Sequence, residues 1–305
     1  MSRRVRTALG GVVGALALAL VLPTAPAVAG AAPGKTAQVV TITATGARMT
    51  VTGDAGLRQG PTTFAASTSD AEPHWFGVVR PNAGVPLDRY LDYLTDALSD
   101  DPPTSVEGEK KALRHGRLFS GAAVTAGRSV RVTVDLDPGT YYLVDYATLG
   151  QPGVRPAVHP IQIGRGKQAP QSAPKGWHDP DTVAVIRSTP EGDRFVVPSR
   201  LPARGTLLAR NATDQMNEAV LMRLHPWATE ADVRHFFIYW GSDGVNPFVD
   251  YHSVGLIPMS PNHSALLTYD LEPGKYTLMS WVRNLETGNP NVVDGTFTIV
   301  ELVRR

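Results

Sequence analysis

His252, Met259 and His263 stand close together in the run YHSVGLIPMSPNHS, and two imidazoles with a thioether form a donor set suited to copper(I). The competing reading makes Met259, which follows Ile257 and Pro258, a residue at the edge of a core. His115, His178, His225 and His235 have no partners at metal-ligand spacing. The chain contains no cysteine, which excludes a thiol nucleophile, disulfides, iron–sulfur clusters and an acylated lipoprotein cysteine. Hydrolase signals are absent too: there is no Gly-x-Ser-x-Gly elbow, no His-Glu-x-x-His and no phosphate-binding glycine loop. Carboxylate pairs such as Asp100 with Asp101 and Asp135 with Asp137 read as loop and turn residues. Trp75, Trp227, Trp240 and Trp281 fall at or near predicted strand ends and the turn after a helix; exposed, they would stack on sugars or cell-wall polymers, and buried, they would plug a core. Asn211-Ala212-Thr213 and Asn262-His263-Ser264 match the glycosylation triplet.

The elements that must position these residues occur twice. DLDPGTYYLVD at 135–145 returns as DLEPGKYTLMS at 270–280, each a strand ending in a Pro-Gly turn and restarting on a tyrosine-led strand. The repeat extends upstream, where Phe64 falls on Leu208, Asp70 on Asp214 and Asp88 on Asp232, an offset of 144 (208 − 64). Leu136 and Leu271 are 135 apart (271 − 136), so copy one is longer by 9 residues (144 − 135), assigned to the charged, proline-containing stretch 99–116 read as a solvated loop. Valine-, isoleucine- and threonine-rich runs predict opening strands at 38–45 and 182–188, second strands at 62–66 and 206–210, and third strands at 75–79 and 219–224. Leu87, Tyr90, Leu91, Leu94 and Leu98 follow helical spacing, and a matching helix opens at Thr229 with a capping-box-like pairing to Asp232. Hairpins are predicted at 130–136 with 140–144 and at 265–271 with 275–279, followed by final strands near 161–163 and 296–302. The Gly-, Pro-, Ser- and Lys-rich stretch 165–181 reads as a linker between independently folding domains at 38–164 and 182–303.

The Pro-Gly-x-Tyr hairpins, the Arg-Leu strand end leading into a short helix, and the Gly288-Asn289-Pro290-Asn291 loop before the last strand resemble cupredoxin-like domains. That resemblance implies an all-β fold of two tandem Greek-key β-sandwiches, each with a short inserted helix. It also implies where copper would be held, and there Asp145 and Ser280 replace the cysteine. In copy two Asn291 replaces the second histidine and Thr296 the methionine; in copy one His74 keeps the first histidine position. His74, Asp145 and His159 are therefore the candidate zinc or copper(II) ligands that the resemblance leaves. Aligning Pro156 with Pro290 puts Ala157 on the second ligand position, which favours reading all three as turn, strand-end and loop residues. An immunoglobulin or fibronectin sandwich with a tyrosine corner stays open as the competing fold.

The N-terminus carries Arg3, Arg4 and Arg6, an apolar stretch from Val12 to Leu22 and an Ala27-Val28-Ala29 cleavage pattern, a signal peptide expected over 1–29. The apolar stretch is shorter than the ~20 residues of a membrane-spanning helix. Net charge is +1 with the signs interspersed, which gives no nucleic-acid footprint. The expectation is an exported, non-catalytic binding or structural protein without cofactor or stable membrane anchor, its partner an unknown extracellular ligand or protein. A metal-binding protein, a secreted enzyme and a cell-wall polysaccharide-binding protein are the alternatives.

Overall fold

The computed structural model describes residues 37–151, 153–167, 174–250 and 253–304. The expected signal peptide at 1–29, residues 168–173 of the expected linker, and His252 lie outside the described residues. Copy one comprises β1 (Gln38–Thr45), β2 (Arg48–Thr52), β3 (Arg58–Thr68), β4 (His74–Pro81), β5 (Gly116–Val124), β6 (Val130–Leu136), β7 (Gly139–Asp145) and β8 (Val158–Lys167). Copy two comprises β9 (Thr182–Thr189), β10 (Gly192–Val196), β11 (Arg200–Pro202), β12 (Arg204–Ala212), β13 (Asn217–Arg223), β14 (Val254–Met259), β15 (Ser264–Asp270), β16 (Gly274–Met279) and β17 (Phe297–Val303). β1 shows why the pattern makes strands: Val40, Ile42 and Ala44 are buried while the threonines between them face solvent, the period of two of a half-buried sheet.

In copy one, β1 pairs antiparallel with β2 and parallel with β3, and β3 pairs antiparallel with β6, giving the layer β2-β1-β3-β6. The opposing layer is β8-β7-β4-β5, so the chain crosses between layers from β3 to β4, β5 to β6 and β6 to β7 in Greek-key fashion. Copy two repeats the map, with β10-β9-β12-β15 facing β17-β16-β13-β14. The parallel β1–β3 and β9–β12 pairs depart from the antiparallel sheets of an immunoglobulin sandwich.

The two sandwiches are joined edge to edge. β6 pairs antiparallel with its own counterpart β15, and β5 with its counterpart β14, so each layer runs unbroken through both copies. The register is self-complementary: Val132 lies opposite its equivalent Leu267, and Ala122 opposite its equivalent Leu256, which places a local twofold axis through both pairs. All four side chains are buried in one core shared by the copies. Pairing β5 and β6 with copy-two strands also removes two sheet edges that an isolated copy would expose. Two glycines permit the β4–β5 and β13–β14 contacts at equivalent places: a Cβ on Gly121 would lie 1.6 Å from the Phe76 carbonyl oxygen, and one on Gly255 2.5 Å from that of Ala219.

α1 (Leu87–Ala97) and α3 (Glu230–Tyr239) are the expected inserted helices, and Thr229 and Asp232 form a full capping box. Copy one carries a second helix as well. Residues expected as a solvated loop form α2 (Pro102–His115), capped by Asp101, whose carboxylate accepts the Thr104 N–H at 3.1 Å. Ser105, Gly108, Glu109 and Ala112 make its buried face. A Cβ on Gly108 would lie 2.3 Å from the Ala97 nitrogen, so only glycine lets α2 approach α1 this closely. The α1–α2 hairpin lies over the outer face of the β4–β5 layer and reaches Ile257 and Met216 of copy two. Leu267→Ala, which empties a site on the axis, is expected to cost about 2–5 kcal/mol of unfolding free energy in urea titration.

Candidate functional site

His74 opens β4 and Asp145 closes β7, and the Phe76–Asp145 pairing of those strands brings the two side chains together. His74 Nδ1 lies 2.6 Å from Asp145 Oδ2, and His74 Nε2 lies 3.0 Å from Asp70 Oδ2. The ring also stacks on Phe76 with centroids 5.9 Å apart. Burial disfavours a charged imidazole here, but the bonds to Asp145 and Asp70 outweigh it and raise the His74 pKa. Burial raises the Asp145 carboxyl, and its bonds with His74 and with the Ala147 amide only partly offset this. Asp70 sits nearer solvent and is lowered by its bond to His74. Thr148 donates to the Asp145 carbonyl and accepts from the Ala157 amide, which fixes the end of β7 against the start of β8.

His159 does not join this pair. It stands on β8 opposite Leu143 with its Nε2 2.8 Å from Asp54 Oδ2, because the two-residue step from Ala157, which lies beside Asp145, keeps the same face but carries His159 roughly 7 Å further along the strand. Among the described residues no group of three His, Asp or Glu side chains has metal-binding geometry. The structure thus brings together His74 and Asp145, adds Asp70, and leaves His159 with Asp54. Asp70 was legible as a repeated residue, but nothing in its spacing showed that it would meet His74.

Copy two holds an amide cluster at the equivalent end. Strand pairing makes Asn217 the counterpart of His74, since Gly77 lies opposite Val144 and Val220 opposite the equivalent Met279; the offset here is 143 (217 − 74), one less than in the sequence alignment. Asn291 donates to Asn217 Oδ1 at 3.2 Å, and Asn217 donates to Asp193 Oδ2 at 3.2 Å. Gln215 donates to the same Asp193 oxygen at 2.7 Å. Ser280, at the place of Asp145, accepts the Glu218 N–H at 3.1 Å. Asn217, Ser280 and Asn291 are completely buried, so each bond here replaces hydration lost on folding.

Between the copies lies a set of groups that the sequence reading missed. Glu109 on α2 is 2% exposed and accepts the Arg283 N–H at 3.0 Å through Oε1, while its Oε2 has no hydrogen-bond partner among the described residues. Glu218 on β13 accepts the Trp281 N–H at 3.0 Å. Burial pushes the Glu109 carboxyl up to about 8 and that of Glu218 up to about 7, and the Glu218 charge raises Glu109 further. The phenols of Tyr90 and Tyr146 and the indole N–H of Trp281 are buried without partners among the described residues. Glu109 was hidden within a run of charges; the Asp-Pro-Pro cap and the small residues at 105, 108 and 112 were the signals for a packed helix.

The remaining candidates separate. Met259 is fully buried on β14 opposite Asn217, and the His263 ring packs edge-on against Phe119, with Nδ1 donating to the Pro261 carbonyl. Asn211 is 1% exposed and its amide donates to the Gln215 and Met259 carbonyls, so this triplet is closed to modification in the folded chain, whereas Asn262 is exposed. Trp227 and Trp240 are 56% and 61% exposed, while Trp75 and Trp281 are half-buried. A groove of about 620 Å³ opens elsewhere, between Arg131, Thr133, Lys175, Asp181, Arg204 and Thr268; Glu109 and Glu218 do not line it.

No protein-family model and no curated protein matches the chain. Among solved structures it is similar to a dithionite-reduced auracyanin from Roseiflexus castenholzii, at 14% identity over 40% of this chain and 94% of that one, with a TM-score of 0.27. It is also similar to a blue copper oxidase from Nitrosomonas europaea, at 14% identity over 87% of this chain and 85% of that one, TM-score 0.22. A copper nitrite reductase from Nitrosomonas europaea is similar at 11% identity over 88% of this chain and 94% of that one, TM-score 0.23. The cupredoxin-like fold itself is read from the two strand orders.

His74→Gln is expected to remove about 1.5–3 kcal/mol through its charge-assisted bonds. Because the folded pKa of His74 is raised, that stabilisation is complete below the ordinary imidazole range and fades as pH climbs through the folded value. Urea titrations across that range should show the wild-type advantage shrinking with pH; a constant or growing advantage would count against the charged bridge.

Proposed function

We propose that the chain acts outside the cell as a non-catalytic binding or structural protein whose two cupredoxin-like copies hold no blue-copper centre. One observation carries this reading: the side chains at the copper positions are bonded to one another. Both His74 nitrogens are engaged by carboxylates, and Asn217 and Asn291 are tied to each other and to Asp193. A type 1 site needs a thiolate, and the chain has no cysteine. The donors therefore serve as fastenings between loops, much as hydrogen-bonded polar networks do in other cores. Purified mature protein incubated with copper(II) or zinc and then dialysed is expected to retain well under one metal per chain. Stoichiometric uptake abolished in His74→Ala would overturn the reading.

A second reading, binding of cell-wall polysaccharide, is favoured by the exposed aromatics beside α3. Matching buried Tyr90 and Leu94 with Val233 and Phe237 places Tyr239 and Trp240 where α2 crosses α1 at Asp96 and Ala97 in copy one. Tyr239 and Trp240 are 52% and 61% exposed, and Trp227 stacks on His225 with centroids 5.6 Å apart. Such rings offer flat apolar faces to sugars. Retention on insoluble cell-wall polysaccharide that Trp240→Ala weakens several-fold would support this reading; equal retention of both proteins would remove it.

A further inference from the structure

The α1–α2 hairpin is the feature by which copy one departs most from copy two, and it is seated partly on copy two. Among the described residues the α2 side chain bonded to copy two is Glu109, whose Oε1 accepts the Arg283 N–H at 3.0 Å, and the turn before α2 is bonded there through the Asp100 carbonyl. The charge of Arg283 favours an ionised Glu109, but less than burial opposes it. The Arg283 guanidinium is directed to the carbonyls of Gly288 and Asp100, each at 3.0 Å. From β13 the facing group is Glu218, a second acid, and behind Glu218 lies the uncharged phenol of Tyr146 from the turn after β7, itself beside that of Tyr90 on α1. At the start of β5, Arg117 is spent on the carbonyls of Leu113 and Gly116. On α2 itself Lys111 reaches Glu107 at 3.8 Å in solvent. A carboxylate with one amide donor, no contacting cation and a like charge nearby is costly to bury, whereas the neutral acid is not.

We propose that the α1–α2 hairpin is a pH-controlled clasp between the copies, seated while Glu109 carries a proton and released as Glu109 gives that proton up to solvent. The same geometry sets the sense of the switch. The folded carboxyl titrates above its unfolded value, at about 8, so docking is strongest in acid, weakens as pH rises out of the ordinary carboxylate range and is weakest beyond the folded midpoint. Release uncovers the outer face of the β4–β5 layer around Val79, Leu118, Ala123 and Val144.

Hydrogen exchange on the full mature chain tests this directly. Protection factors of α2 amides, corrected for intrinsic exchange, are expected to fall about tenfold or more between about pH 6 and pH 9, while those of β6 and β15 hold. In Glu109→Gln the α2 protection is expected to stay flat over that range. Unchanged protection in the wild type, or an equal fall in the variant, would overturn the clasp. If Glu109→Gln does not fold, carboxyl NMR titration of the wild type decides: a Glu109 midpoint near 8 supports the clasp, and one in the ordinary glutamate range overturns it.

Discussion

Strands β5 and β6 meet their own counterparts β14 and β15 antiparallel across a single axis, and the rest of the molecule is arranged around that self-pairing. Pairing of equivalent strands in both layers makes the chain a covalently joined version of a twofold dimer, with the same surface used on each side. It closes two edges per copy that would otherwise offer unpaired backbone groups. It also merges the inner faces into one core, so Leu143 of copy one and Leu278 of copy two belong to the same packed interior.

Symmetry in the sheets leaves asymmetry to the ends and helices. At the ends, one repeated plan carries two different polar fillings: an imidazole held between carboxylates in copy one, and an amide network in copy two. Both satisfy buried groups from within the chain. On the outer face, α2 covers α1 and crosses to copy two, whereas α3 stands without such a cover and presents Tyr239 and Trp240 to solvent. Glu109 lies where these asymmetries meet, and its burial ties the seating of a helix in one copy to the protonation state of a group facing the other.

Much of this was legible in the residues. The opening strand at 38–45 and the capping box at Thr229 follow directly from alternation and from side chains that satisfy first-turn amides. The strands that join the copies were not. Gly116–Val124 and Val254–Met259 are buried on most positions and carry glycine, alanine or proline, so they show no alternation that separates a strand from a loop. α2 was obscured for the opposite reason: its buried face is made of Ser105, Gly108, Glu109 and Ala112, which lack the apolar stripe of an ordinary packed helix. The candidate site divided in the same way. Asp145 was found through the hairpin that ends in β7 and His74 through the first-histidine position of the resemblance, but His159 lies a two-residue step too far along β8 and meets Asp54, and only the strand pairing shows Asn217 as the counterpart of His74.

Scanning calorimetry of the chain is the most direct test of the shared architecture. Two sandwiches joined through β5–β14 and β6–β15 are expected to unfold in one transition whose calorimetric and van't Hoff enthalpies agree. Two resolved transitions, each with the enthalpy of one copy, would contradict the account.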